Sequence, residues 1–201
     1  MDKRGRCTEE ALRLFVRRGF RAVTIGELTQ RLNVSSKTIY QLFGDKQSLA
    51  RAAVALYQTR SEAILDQLWA ETADPAELLV RVYLEQIDRL SGFHPSFFQE
   101  APLFLPADQS VAGFFGCARS EDLLRRGQQV GLFHTRVQPR IAAETLTLLL
   151  EQCVMGERFA GQGTRDLMQQ VLWPYLRGLC TEAGLVAFRR YRLRYLAADA
   201  R

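Results

Sequence analysis

Proline is missing from the first 74 residues of this 201-residue chain, while three of its six prolines crowd into Pro95, Pro102 and Pro106. The chain therefore reads as helical at both ends with a broken middle, and strand signals are weak throughout. Cysteine is scarce as well. Cys7, Cys117, Cys153 and Cys180 lie far apart and form no C-x-x-C pair, which argues against a disulfide scaffold, a zinc site and a redox motif. The two histidines, His94 and His134, stand too far apart for metal-ligand spacing, so neither a metal nor another cofactor is expected. The most apolar run, near Leu146–Leu150, falls far short of the ~20 residues that cross a bilayer. The opening residues are charged and lead into Cys7-Thr8-Glu9-Glu10 without the apolar stretch of a secretory signal. A soluble, cytoplasmic protein with no membrane attachment is the expectation. Acidic and serine side chains show no nucleophile–base–orienter arrangement, so an enzyme is poorly supported. Gly161-Gln162-Gly163-Thr164 lacks the G-x-x-x-x-G-K-[ST] form of a phosphate loop.

Hydrophobic residues make up 47% of the chain and charged residues 24%, the balance of a folded globular protein. The net charge of +5 is unevenly spread: residues 1–60 hold 12 basic against 5 acidic side chains, and residues 61–201 hold 15 against 17. Nearly all of the basicity is N-terminal, where it suits nucleic acid.

Helix signals follow in order. A first helix is expected from Thr8 to Arg18, ended by Gly19, with Arg4 and Arg6 on a disordered arm before it. Thr24-Ile25-Gly26-Glu27 has the form of a capping box and opens a second helix. That helix stops at Asn33-Val34, and Ser35 caps a third through Phe43, closed by Gly44. Two short helices joined by a tight turn form a helix-turn-helix. Asp45 caps a long fourth helix reaching Trp69 or Glu71. Asp74-Pro75-Ala76-Glu77 starts a fifth, to Leu90. Residues 92–106 read as irregular or as very short helices. Further helices are expected over residues 108–131, 139–159 and 164–182, the last kinked at Pro174, with a tail starting at Gly184.

The third helix displays Ser35, Ser36, Lys37, Thr38, Tyr40 and Gln41, a set of donors and acceptors suited to the major groove, while Ile39 and Phe43 face inward. The segment from Thr24 to Leu49 resembles the DNA-binding segment of the tetracycline-repressor (TetR) family of bacterial transcription regulators. It keeps the threonine cap, Val34-Ser35, Thr38-Ile39-Tyr40, Phe43, Lys46 and Leu49 of the family pattern. It departs at Thr29, at Asn33 in place of the turn glycine, and at Lys37 in place of the recognition-helix glycine. Asparagine tolerates positive φ, so the turn survives. The resemblance implies phosphate contacts by Tyr40, Lys46 and the helix start at Thr24, with Ser36, Lys37 and Gln41 as candidates for base edges.

Seven of twelve phenylalanines lie in residues 93–133, a density that suits either a core or a largely apolar cavity. The candidates for an effector pocket are Trp69, Tyr83, Gln86, Leu90, Phe93, His94, Phe97, Phe98, Phe104, Phe114, Phe115 and Cys117. The helix over 139–159 carries two apolar stripes, one of Leu146, Leu149, Leu150 and Cys153, the other of Ile141, Leu148, Met155 and Phe159. One core cannot bury both. Dimer-interface candidates are Leu146, Leu149, Leu150 and Cys153, with Met168, Leu172, Tyr175, Leu176 and Leu179 on the next helix. Two helices from each chain then form a four-helix interface, as the resemblance also implies. The basic and aromatic tail Phe188–Tyr195 reads as a surface helix packed on the body.

The sequence thus points to an all-α protein: a three-helix helix-turn-helix domain over residues 1–47 and a helical effector-binding and dimerisation domain over 48–201. The expected function is that of a homodimeric repressor that binds a palindromic double-stranded DNA operator and is released by a small, largely apolar or aromatic effector. An activator or ligand-independent regulator on the same fold is the first alternative, and a helical enzyme the second.

Overall fold

A computed structural model describes residues 2–105, 117–155, 159 and 161–196. The described residues form helices without a named strand, as expected for an all-α chain. The chain packs as two compact units, Met1–Ile64 with Gly92–Val111, and Leu65–Ser91 with Ala112–Arg201. This division differs from a cut at 47/48: it runs through the fourth helix and gives the broken middle of the chain to the N-terminal unit.

In the first unit, α1 (Lys3–Arg18), α2 (Ile25–Leu32), α3 (Ser36–Phe43) and the start of α4 (Lys46–Glu71) surround an apolar centre. Asp2 caps α1, its carboxylate accepting the Gly5 N–H at 2.6 Å. Arg4 and Arg6 are therefore helical, which corrects the expectation of a disordered arm. Cys7, Ala11, Leu12, Leu14 and Phe15 on α1 are buried, as are Leu49, Ala50, Ala53, Val54 and Tyr57 on α4. The core includes α6 (Pro95–Glu100) and a 3-10 turn (Ala101–Phe104). The His94 N–H donates to the Val16 carbonyl at 2.7 Å. Gly19 ends α1 at φ 77°, and a Cβ there would lie 1.9 Å from Ser96 Oγ. Only glycine satisfies both that backbone conformation and that approach.

In the second unit, α5 (Pro75–Leu90) packs with α7 (Cys117–Gln129) and α8 (Pro139–Met155). Asp74 caps α5, accepting from the Ala76 and Glu77 N–H groups. A helical stretch follows as α9 (Thr164–Leu167), a π turn (Met168–Leu172) and α10 (Trp173–Leu179). The kink expected at Pro174 is realised as this π turn, which wraps the chain widely enough to accommodate a residue with no N–H to donate. Leu78, Leu79, Tyr83, Ile87, Leu123, Leu146, Met168, Leu172 and Leu176 are fully buried in this unit.

The C-terminal α11 (Glu182–Leu196) is clasped to the start of α5. Tyr191 is buried and its hydroxyl donates to Asp74 Oδ2 at 2.5 Å, while Arg194 and the Tyr195 hydroxyl both reach Glu77 Oε1, at 2.7 and 2.6 Å. The tail is thus a surface helix whose aromatics pack on the body, with Asp74 serving at once as helix cap and as acceptor for Tyr191. Burial, followed by the bond to Asp74, pushes the Tyr191 phenol up to about 12. A raised folded-state value means that the neutral phenol stabilises the fold at neutral pH. That contribution is lost as pH rises from the unfolded value of about 10 through about 12. Tyr191→Phe is expected to cost about 1–2 kcal/mol in denaturant unfolding at pH 7 and to flatten the loss of stability between pH 9 and 12 relative to the parent protein.

Candidate DNA-binding surface and effector region

The helix-turn-helix is set by its caps. The Thr24 hydroxyl accepts the Glu27 N–H at 3.1 Å, the threonine half of a capping box. Glu27 departs from the expected reciprocal bond: its carboxylate takes Arg18 at 2.5 Å and lies 3.5 Å from Arg31. Asn33 adopts φ 52° and ψ 52°, so the turn keeps its left-handed residue without glycine. Ser35 Oγ accepts the Thr38 N–H at 3.1 Å and lies 2.9 Å from the Thr38 hydroxyl. Ile39 and Phe43 face inward and are buried. The Arg4 guanidinium sits 4.5 Å over the Phe43 ring and donates to the Leu42 carbonyl, tying the start of α1 to the end of α3.

The opposite face of α3 is open. Thr24, Ser35, Ser36, Lys37 and Gln41 are exposed, Tyr40 is 50% exposed, and Thr38 is half-buried. Lys37 is the only charged residue on α3. Lys46 stands apart, half-buried beside Glu100. Burial lowers its ammonium pKa and the Glu100 carboxylate opposes that shift. Arg21 lies 3.6 Å from the same carboxylate, and Phe20, Ala50 and Phe104 complete a recess of about 150 Å³ with them. Glu100 is a participant that the sequence did not reveal, because it is distant in sequence and its segment reads as irregular.

The expected effector residues that are described fall in both units. Phe93, Phe97, Phe98 and Phe104 belong to the first unit. Phe97 and Phe98 are buried there, and Phe97 stacks on Phe20 at 5.2 Å and meets Tyr57 edge-on at 5.6 Å. Phe93 lies 5.4 Å from Phe98 and Phe104 lies 4.6 Å from Phe20. Phe97 and Phe98 fill a core, and Phe93 and Phe104 are half-buried at its edge. His94 caps α6 through Nδ1, which accepts the Ser96 N–H and pairs with the Ser96 hydroxyl at 2.8 Å. Its ring is thus engaged by the chain itself. Phe114, Phe115 and the Cys117 side chain lie outside the described residues.

Trp69, Tyr83, Gln86 and Leu90 belong to the second unit. Tyr83, Gln86 and Leu90 are buried, and the Tyr83 hydroxyl meets Ser120 Oγ at 3.0 Å. Trp69 is half-buried beneath the Arg119 guanidinium, 5.2 Å from its ring centre. Polar groups of Tyr83, Gln86, Ser120 and Thr147 thus lie inside an apolar unit. Ser120 and Thr147 carry no signal in the sequence that separates them from other small polar helix residues. The thiols are poor nucleophiles: burial pushes Cys153 up to about 11 and Cys180 up to about 12.

The interface candidates need correction. Leu146, Leu150, Met168, Leu172 and Leu176 are fully buried within the chain's own unit, and Cys153 and Leu179 nearly so, leaving no surface for a partner. Of those named, only Leu149 and Tyr175 are partly exposed. The stripe left open on α8 is the other one, with Ile141 at 56% and Leu148 at 60% exposure. Periodicity showed two stripes but not which one the chain covers itself.

Two short helices at a left-handed turn, with a polar outer face on the second, have the form of a helix-turn-helix, a motif that places its second helix in the DNA major groove. Residues 8–53 match the family model described as bacterial regulatory proteins, tetR family. The chain is 27% identical over 99 residues to YvkB of Bacillus subtilis (strain 168), an uncharacterized HTH-type transcriptional regulator, across 49% of this chain and 52% of that protein. The chain thus spans about half the length of the curated relative it matches. Solved structures share the fold. The TetR family protein CprB from S. coelicolor A3(2) superposes with a TM-score of 0.74 at 20% identity, covering 98% of each chain. A putative transcriptional regulator from Saccharomonospora viridis in complex with choline gives 0.72 at 20% identity, covering 89% of this chain and 98% of that one. The N-terminal segment thus matches the TetR family of bacterial regulatory proteins, and the described fold is that of solved TetR-family structures. No described helix is long and apolar enough to cross a membrane.

Proposed function

We propose that the protein is a cytoplasmic, non-enzymatic repressor that binds a palindromic operator as a homodimer and releases it on binding a small organic effector. The observation that carries this reading is the open polar face of α3 on a buried Ile39–Phe43 base. In functional terms residues 1–47 read DNA and residues 48–201 sense and pair. Tyr40 and the α2 start at Thr24 hold phosphates, Ser36, Lys37 and Gln41 approach base edges, and Ser35 and Thr38 set the helix start. Lys46 joins the phosphate contacts when it leaves Glu100. The effector site lies in the interior of the second unit around Tyr83, Gln86, Leu90 and Ser120, with Trp69 beside it. Choline in the S. viridis regulator supports a small organic ligand in this fold and leaves its chemical class here to experiment.

Release is a population shift: an effector that prefers one arrangement of the second unit lowers DNA affinity by its differential affinity for the two states. The shift travels along α4, which is continuous across both units, and through the junction after Ser91, where the chain returns to the first unit. Pairing through Ile141 and Leu148, flanked by Leu149 and Tyr175, sets two recognition helices about 34–36 Å apart.

Binding to duplex fragments selected from random sequence tests the reading. Affinity is expected to fall steeply with salt. Lys37→Ala costs about 1–3 kcal/mol and relaxes base preference if Lys37 reads a base edge, whereas Tyr40→Phe weakens all sequences alike. Unchanged affinity in a Tyr40→Ala, Lys37→Ala double variant contradicts the assigned surface. For pairing, Ile141→Asp with Leu148→Asp is expected to yield a folded monomer by sedimentation at micromolar concentration, and a dimer that persists in that variant refutes the α8 stripe.

A further inference from the structure

The basic and aromatic segment of α11 is not used up by its clasp on α5. Arg190 and Arg194 are engaged, the first with the Tyr191 hydroxyl and the second with Glu77. Arg189 and Arg192 turn the other way. They line a cleft of about 260 Å³ with Leu185 and Phe188 of α11 and with Trp173 and Arg177 of α10. Helical spacing explains the convergence: Trp173 and Arg177 are four residues apart on α10, and Leu185, Phe188, Arg189 and Arg192 recur at three and four on α11. The Trp173 and Phe188 rings are buried, with centroids 5.4 Å apart, and form an aromatic floor. The three arginines are exposed. Among the described residues, no carboxylate lines the cleft.

We propose that this cleft binds a small organic anion carrying a phosphate or comparable multivalent group on a compact apolar body. Three like charges gathered around one concavity, with no described acid to balance them, concentrate positive potential there. Guanidinium forks match the oxygens of a phosphate in pairs, which ammonium groups do not. Leu185, half-buried at the cleft, gives an apolar ligand body a surface to cover, backed by the buried Trp173 and Phe188 rings. The site is separate in residues and in chemistry from the apolar interior around Tyr83, and from the α3 surface. It gives the protein a second ligand input, one that reads an anionic metabolite.

The test uses the full-length protein with Trp69→Phe, which leaves Trp173 as the only tryptophan. Phenyl phosphate is titrated against Trp173 emission, with inorganic phosphate and phenol as separate arms. The expected result is a saturable change with phenyl phosphate and at least tenfold weaker binding of either half-molecule. Arg177→Gln with Arg192→Gln is expected to weaken phenyl phosphate at least tenfold at an unchanged circular dichroism spectrum, and Arg177→Lys with Arg192→Lys to fall between. If the double variant loses its helical spectrum, Arg189→Gln alone carries the comparison, with a loss of at least threefold expected. A linear, non-saturable titration, or equal affinity in the glutamine variants, overturns the proposal. So does a loss of duplex-DNA affinity in those variants with no response to phenyl phosphate, since the arginines would then be contacting nucleic acid.

Discussion

The stacking of Phe20 on Phe97 is the contact on which the first unit depends. Phe20 follows the turn that ends α1, and Phe97 belongs to a helix far along the chain. Around this pair gather Phe15, Phe93, Phe98, Phe104 and Tyr57, with neighbouring ring centres 4.6–5.7 Å apart. Edge-on and offset pairs of this kind add to the stabilisation from buried area alone. The cluster cannot form unless α1 stops where it does, and Gly19 is what stops it. The helix-turn-helix unit is therefore held by a part of the chain that, in sequence, lies between two elements of the other unit.

That arrangement gives a physical meaning to the broken middle. Three prolines in twelve residues prevent a long helix between Pro95 and Pro106 and leave short turns that fit against α1 and α4. The residues after Ser91 support α1 directly, through Phe97 and Phe104 against Phe20 and the His94 N–H bond to the Val16 carbonyl. Glu100, on the same segment, lies 3.6 Å from Arg21 and acts electrostatically on the half-buried Lys46.

Much of the local structure was legible in the sequence because it is written in caps and breakers. Thr24, Asn33, Ser35, Gly44, Asp74-Pro75 and Gly19 set helix ends by interactions within a few residues, and the helices begin and end beside them. Side-chain allegiance was harder to read. Phe93, Phe97 and Phe98 suit a cavity wall and a core equally well until their neighbours are known, and the neighbours are Phe20 and Tyr57, far away in sequence. On α8 the two apolar stripes were evident. The chain covers the first stripe itself at Leu146 and Leu150 and leaves Ile141 and Leu148 exposed. Glu27 broke the capping box for a similar reason: Arg18, brought close by the turn at Gly19, competes for its carboxylate better than a backbone N–H does. In each case a contact between distant residues decided between local alternatives.

Amide hydrogen exchange on Phe97→Ala tests the dependence of the helix-turn-helix on the middle segment most directly. Removing the ring leaves α2 and α3 untouched in sequence and breaks the stack with Phe20. The account predicts that protection falls together in residues 95–104, in α1 and in α3, while α7 and α8 keep theirs. Loss confined to residues 95–104, with α1 and α3 exchanging as in the parent protein, would contradict it.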